Sequence, residues 1–303
     1  MGNTSALSTS AAVEVCIVNI NGATCSGKST LAEYLCQRFN SPIGPIGQDH
    51  FITNNIPIFK KHILHDDQNV QLSDTKSMFR EWPNYECEQS INFVRFEQVI
   101  KTAREIILSQ HHDLEQMKRQ FMELGYTFWN ENFDPSQTLM ISNKKVYLIV
   151  VEGFLSCCSF NLMCNLFDIN IYLNASKDLC LKRRSWRDQN KELSQVSKEF
   201  ISWFNELVWP FHQLYRTRQL SNIIKSGRPF LCLNSKDDIE ELQGTNEEKL
   251  IDKVSSFIND LLMNRGESLS LMHHELPDWF DLNTNYEESE KELEQFLFSH
   301  HIK

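Results

Sequence analysis

The chain has 303 residues, 41% of them hydrophobic and 11% aromatic, and a formal net charge of −10. That composition excludes a disordered chain, and the acidic balance excludes a nucleic-acid binder that works by general electrostatics. The longest apolar run, Val146–Leu155, is interrupted by Glu152 and Gly153, so no stretch reads as a membrane span. Residues 1–12 are small and polar and read as a loose leader with neither a basic n-region nor a long apolar run. Gly2 lacks the Ser or Thr at position 6 that myristoylation prefers.

Val13–Ile20 is a β-branched apolar run of strand length. Leu31, Leu35 and Phe39 then recur every four residues, the stripe of an amphipathic helix. A weak second strand is expected around Ser41–Gly47, limited by Pro42 and Pro45. Residues 53–80 mix Asn, Lys, His and Asp and read as a mobile loop or lid outside the core. Ile91–Leu108 and 112–124 carry helical patterns, followed at Gly125–Gln137 by a loop with exposed aromatics. Val146–Val151, Ile169–Leu173 and Phe230–Leu233 read as strands, the first apolar enough to be buried on both faces. Residues 176–187 form a basic helix start, Glu247–Met263 an amphipathic helix, and residues 266–303 an acidic tail. Strands alternating with helices imply a doubly wound parallel α/β sheet with an N-terminal P-loop and a helical lid, occupying residues 13–265.

Between the first strand and helix, residues 22–29 match G-x-x-x-x-G-K-[ST] at every fixed position. Such a loop wraps phosphate with backbone N–H groups at a helix N-terminus, where the dipole also favours an anion. Gly22, Ala23, Thr24, Cys25, Ser26, Gly27, Lys28, Ser29 and Thr30 are therefore the candidate ATP-binding run. Lys28 is placed to reach the β- and γ-phosphates, and the Ser29 hydroxyl to ligate Mg²⁺. Asp49, about twenty residues on, falls on the acceptor side of the γ-phosphate, where a carboxylate takes or orients a hydroxyl proton. Glu152 closes the strand Val146–Val151 and is the second candidate for Mg²⁺, directly or through water. Lys182, Arg183, Arg184 and Arg187 form a cationic cluster suited to a lid over phosphates. The pairs His111-His112 and His273-His274, and the run His62-x-x-His65-Asp66-Asp67, read as solvated loop residues.

Nine cysteines, at positions 16, 25, 36, 87, 157, 158, 164, 180 and 232, include no C-x-x-C pair and give no zinc signature. Their placement in apolar stretches is the usage of a reducing compartment and points to the cytosol. No motif encodes an oligomeric state.

Five ordered segments carry a family resemblance: residues 22–32, Gln48-Asp49-His50-Phe51, Asn84-Tyr85-Glu86, residues 151–155 (Val-Glu-Gly-Phe-Leu) and residues 182–187 (Lys-Arg-Arg-Ser-Trp-Arg). Val208-Trp209-Pro210 with Tyr215-Arg216 adds a further landmark. In these the chain resembles the nicotinamide riboside kinases. The resemblance implies phosphorylation of the riboside's 5′-hydroxyl by ATP and Mg²⁺, feeding NAD salvage. It implies catalytic roles for Asp49, Lys28, Arg183, Arg184 and Arg187, and nucleoside contacts from Asp49, Tyr85, Glu86 and Arg184. Tyr85 would stack on the cationic pyridinium ring, and Glu86 would accept from the ribose hydroxyls. Glu86 stands where the family usually has Asp, and Gln189 where a second stacking tyrosine is expected. The alternative within enzymes is a uridine or cytidine kinase, which Arg-Arg-x-x-Arg-Asp at 183–188 also suits. An alternative of another class is a nucleotide-binding module without kinase activity. A GTPase switch is disfavoured, because Asn143-Lys144-Lys145-Val146 fails the last position of N-K-x-D.

Overall fold

The computed structural model describes residues 12–62, 79–126, 133–235, 246–264 and 276–280, with Lys291 and Gln295. The opening apolar run becomes β1 (Ala12–Gly22), the middle strand of the main sheet. It pairs in parallel with β6 (Lys144–Gly153) on one side and β7 (Ile169–Asn174) on the other. β2 (Ile46–Gly47) extends the sheet beyond β6, and β8 (Phe230–Asn234) extends it beyond β7, both in parallel. The short β5 (Leu139–Ile141) runs antiparallel to β6.

Both faces of the sheet are covered, which is why its strands are continuously apolar rather than alternating. Cys16, Val18 and Ile20 of β1 face one layer. That layer holds α1 (Lys28–Arg38) and α7 (Asn246–Met263), with Leu31 and Leu35 from the first and Phe257 and Leu261 from the second. Val15 and Ile17 face the other layer, built from α2 (Phe93–Gln110), α3 (Leu114–Glu123) and α6 (Trp209–Lys225). The basic helix is α4 (Lys177–Gln189), N-capped by Ser176, whose hydroxyl accepts from the Leu179 N–H at 3.3 Å. α5 (Lys198–Trp203) passes into α6 through a π-helical turn at Phe204–Val208. Pro210, just beyond that turn, cannot donate to the i−4 carbonyl and would clash with it, and a widened turn accommodates such a ring. No helix among the described residues is long and apolar enough to cross a membrane.

Four expectations are corrected. The second strand shrinks to two residues, because Pro42 and Pro45 withhold ladder donors before it. The described ends of the 53–80 segment are not a loop outside the core throughout: they pair as strands, and Phe59 is buried. β3 (Ile58–His62) and β4 (Phe79–Pro83) form an antiparallel hairpin, and Phe59 stacks on Trp82 and meets Phe211 edge-on. The apolar residues Ile58, Phe59, Phe79 and Trp82 carry the signal, in two short runs too far apart to read as a pair. Residues 63–78 lie outside the described residues, and with them His65, Asp66 and Asp67. In the segment expected to expose aromatics, Phe133 is buried against Tyr147. Within the expected tail, Leu276, Trp279 and Phe280 pack on the main core. The Trp279 indole lies 3.9 Å from the Arg216 guanidinium carbon and donates to Asn174 Oδ1 at 3.1 Å. The rest of that tail, His273-His274 included, and residues 1–11 of the expected leader lie outside the described residues.

Phe59 is fully buried although two lysines follow it directly. Phe59→Ala is expected to cost about 3–5 kcal/mol of unfolding free energy. Urea denaturation measures it, and a loss under about 1 kcal/mol would return the hairpin to the surface.

Candidate active site

The strand ends converge because the sheet is parallel. Asn21 pairs with Gly153, Gly47 with Glu152, and Gly22 with Leu173 in strand register. The P-loop, the acidic end of β6 and the turn after β2 therefore open on one edge, the carboxyl edge where open α/β sheets bind ligands. A Cβ on Gly22 would stand 2.3 Å from the Leu173 carbonyl oxygen, so only glycine lets β1 turn there. Gly27 takes the left-handed φ of 102° and leaves the start of α1 without a side-chain cap. The first-turn N–H groups of α1 thus meet no protein carboxylate or hydroxyl cap.

The cleft at this edge measures about 1450 Å³. Lys28 is buried in its wall, with Nζ donating to the Ala23 carbonyl at 2.7 Å. The Ser29 hydroxyl donates to Glu152 Oε1 at 3.2 Å. Asp49 sits exposed on the 3₁₀ turn Gln48–Phe51, directly after β2. That turn is held by Gln48, fully buried, whose Oε1 accepts from the Leu155 N–H at 2.9 Å. Gly153 gives Gln48 its room, since a Cβ there would approach it to 2.7 Å. Glu86 is buried, its N–H held by Asn84 Oδ1 at 3.0 Å and its carboxylate 3.8 Å from Arg184.

Burial raises the Glu86 carboxyl above the ordinary range; Arg184 and Lys28 pull it down, and the Asp49 charge pushes it up. Burial also raises Glu152, against the pull of Lys28 and with a further push from Asp49. Asp49 thus lies within electrostatic reach of both other carboxylates.

The arginines of α4 lie against the phosphate loop. Arg183 donates to the Cys25 carbonyl at 3.1 Å, and Arg184 to the Thr24 hydroxyl. Arg184 is also held by Asp188 at 2.6 Å and by the Trp203 ring, 5.1 Å from its guanidinium carbon. Arg187 turns to Asp188 at 2.8 Å. Tyr85 and Trp186 line the same cleft and are 43% and 57% exposed, unusual for large aromatics. The structure brings most of the sequence-derived candidates to this one cleft: Thr24–Thr30 line it, with Asp49, Tyr85, Glu86, Glu152, Arg183, Arg184 and Arg187 around it, while Gly22 and Ala23 lead into it from β1 without lining it. Sequence reasoning missed Trp203 and the support given by Gln48, which sat inside a recognised segment with no sign of its packing role. Cys25 alone of the nine cysteines is not buried, and all nine are free thiols.

The residues fit a magnesium nucleotide. Ser26 lines the cleft with a buried hydroxyl that has no hydrogen-bond partner among the described residues, a ready donor to phosphate. Ser29 and Glu152 supply hard oxygen atoms side by side. Among the described residues no three His, Cys, Asp or Glu side chains form a metal cage. Two protein oxygens completed by water and phosphate are the habit of Mg²⁺.

The family model of the Phosphoribulokinase / Uridine kinase family matches residues 17–198, more than half of the chain. The chain belongs to this family. It is a P-loop kinase of the uridine kinase type. It is 28% identical over 210 residues to a uridine kinase from Proteus mirabilis, covering 69% of this chain and 85% of that enzyme. It is 23% identical over 194 residues to a nicotinamide riboside kinase from Schizosaccharomyces pombe, covering 64% and 76% respectively. A uridine kinase from Pectobacterium atrosepticum is 24% identical over 207 residues, covering 65% and 83%.

Beneath the kinase cleft, His212 of α6 is buried against the Trp209 ring, centroids 5.0 Å apart. Burial lowers its pKa to about 3 from an ordinary 6.5, and the Arg216 and Lys28 charges add to the effect. Above pH 6.5 the ring is neutral in both folded and unfolded chains. Between pH 6.5 and 3 only the unfolded chain binds the proton, so this contribution to stability is lost as pH falls through that window. The loss is up to about 1.4 kcal/mol per pH unit. His212→Phe lacks it, so the wild-type advantage over the variant should shrink steadily in urea titrations from pH 7 to pH 4. Parallel stability curves would contradict a neutral buried ring.

Proposed function

We propose that this kinase transfers the γ-phosphoryl group of ATP to the ribose 5′-hydroxyl of nicotinamide riboside, giving the mononucleotide for NAD salvage. The observation that carries the reading is the pairing of an exposed aromatic face, Tyr85, with an adjacent buried carboxylate, Glu86, in the cleft that holds the phosphate loop. A cationic pyridinium ring is attracted to such a face by about 0.5–2 kcal/mol. Glu86 accepts from the ribose hydroxyls, and Arg184, 3.8 Å away, favours its charged form against the effect of burial.

In this reading residues 22–30 cradle the ATP phosphates. Ser29 and Glu152 hold Mg²⁺, the latter directly or through water. The bound ion supplies charge neutralisation on the phosphate oxygens. Asp49 takes the proton of the 5′-hydroxyl as its oxygen bonds to the γ-phosphorus and the bond to the ADP oxygen breaks. Lys28, Arg183, Arg184 and Arg187 balance the negative charge that moves onto ADP. The nine free thiols support a cytosolic setting. Residues 13–265 form the kinase unit, and 266–303 a tail tethered through Trp279.

A second reading, uridine as the acceptor, is favoured by the 28% identity to a uridine kinase. Comparing turnover of nicotinamide riboside and uridine separates the two, and a clear preference for uridine would displace the first. A chain that turns over neither nucleoside with Mg-ATP would favour a binding module.

Asp49→Asn should lower kcat by about 10²-fold or more while leaving ATP affinity nearly intact. A collapse of ATP affinity with turnover of bound substrate retained would make the residue a metal ligand instead.

Tyr85→Ala should weaken nicotinamide riboside by about ten- to thirty-fold, and ATP hardly at all. Tyr85→Phe should cost little, because the ring rather than the hydroxyl binds. Equal losses for both substrates, read from their KM values, would place Tyr85 in the framework.

A further inference from the structure

None of the residues lining the cleft comes from α6, yet four of its polar side chains reach the loops that border it. Tyr215, Arg218, Gln219 and Asn222 recur at helical spacing and share one side of the helix. Gln219 is fully buried. Its Oε1 accepts from Asn21 Nδ2 and from the Cys157 N–H, the latter at 3.3 Å, and its Nε2 donates to the Phe154 carbonyl at 2.9 Å. Asn21 immediately precedes Gly22 and accepts the Gly22 N–H at 2.7 Å. Phe154 stands two residues after Glu152. One amide therefore joins the entry of the phosphate loop to the loop that follows Glu152, just where the β1–β6 ladder ends. Asn222 secures the same loop by donating to the Cys157 and Cys158 carbonyls at 2.8 and 3.0 Å.

The preceding residue points to the other substrate. Arg218 forms an ion pair with Glu88, and the Glu88 N–H reaches the Tyr215 hydroxyl at 3.5 Å. Glu88 follows Glu86 by two residues. The same loop is closed internally by Ser90, whose hydroxyl lies 2.7 Å from the Tyr85 carbonyl and 2.6 Å from that of Cys87.

We propose that α6 sets the spacing between the phosphate cradle and the nucleoside loop, with Gln219 and Arg218 as its two positioning residues. The assignment of the 84–90 loop to the nucleoside rests on the function proposed above; the tie between the phosphate loop and the Glu152 loop does not. A rigid helix holding both loops fixes the distance between attacking hydroxyl and γ-phosphorus, and misplacement by about 1 Å costs up to about 10²-fold in rate. Buried amides are suited to this role, since displacing one strands several buried donors and acceptors at once.

The test uses the full chain and two variants of nearly unchanged size. Gln219→Glu keeps the two acceptor bonds and loses the donor to Phe154. It should lower kcat by about tenfold or more and weaken Mg-ADP binding, with nucleoside KM within about twofold of wild type. Glu88→Gln removes the charge that pairs with Arg218 from a partly exposed position. It should raise nucleoside KM by roughly five- to tenfold and leave Mg-ADP affinity unchanged. Thermal midpoints are recorded alongside. Opposite kinetic signatures from partners of adjacent residues on one helix are not produced by general loosening of the fold. Proportional changes in both substrates for both variants, or wild-type kinetics and affinities throughout, would overturn the proposal. Should Gln219→Glu yield no folded protein, Glu88→Gln decides, and an unmoved nucleoside KM overturns it. Should the wild type turn over neither nicotinamide riboside nor uridine, the proposed function fails. Mg-ADP affinity, measured calorimetrically, then still decides the Gln219 arm, and unchanged affinity overturns it.

Discussion

The backbone of Gly22 passes so close to the Leu173 carbonyl that a methyl group cannot stand between them. The geometry of the site depends on that contact. It lets the central strand turn into the phosphate loop while still paired with β7, so the loop emerges at the middle of the sheet rather than beside it. From that position the N-terminus of α1 faces the ends of β2 and β6, and the carboxylates those strands carry become neighbours of Lys28 and Ser29. The lost side chain costs conformational entropy in the unfolded chain, about 0.5–1 kcal/mol relative to alanine, and the packing of two apolar layers on the sheet offsets it.

Charge in the cleft is arranged for a ligand that carries both signs. Burial raises the carboxyls of Glu86 and Glu152, and the Asp49 charge pushes both further. Lys28, Arg183 and Arg184 spend part of their donor capacity on carbonyls and a hydroxyl of the phosphate loop itself. A Mg-nucleotide meets both needs, giving the cations phosphate oxygens and the carboxylates a divalent ion. The chain is acidic overall, so this concentration of cations on α4 is a local feature that the net charge conceals. Trp203 adds to it by holding Arg184 with an uncharged aromatic face, which fixes the guanidinium without neutralising it.

Support for the site comes from side chains with no chemistry of their own. Gln48 wedges against Gly153 and so holds the turn that bears Asp49. Asn84 and Ser90 close the loop that carries Tyr85 and Glu86. Gln219 crosses from α6 to two loops at once. Gln48 and Gln219 bond to backbone far away in the sequence, Asn84 and Ser90 to backbone of their own loop, and such buried groups restrict a loop because another arrangement would break these bonds.

The phosphate loop, the strands at 146–151, 169–173 and 230–233, and the helices at 176–187 and 247–263 were legible in the sequence for local reasons. Their signals are periodicity, β-branching and glycine at positions of special backbone geometry, all written within a dozen residues. Asp49, Glu86, Glu152 and the α4 arginines could be named because they stand at the ends of such elements or inside short motifs. The β3–β4 hairpin was not legible. Phe59 and Trp82 lie 23 positions apart, and only the stacking of the two rings and the edge-on contact of Phe59 with Phe211 of α6 bring them into the core. The roles of Trp203 and Gln219, and the docking of Trp279 on Arg216 and Asn174, were equally silent. The sequence by itself thus determined which elements form and which residues carry charge at their ends. Tertiary structure decided which of those ends meet and which neutral side chains hold them, because contacts between distant segments follow from how whole layers pack, and no local pattern records that.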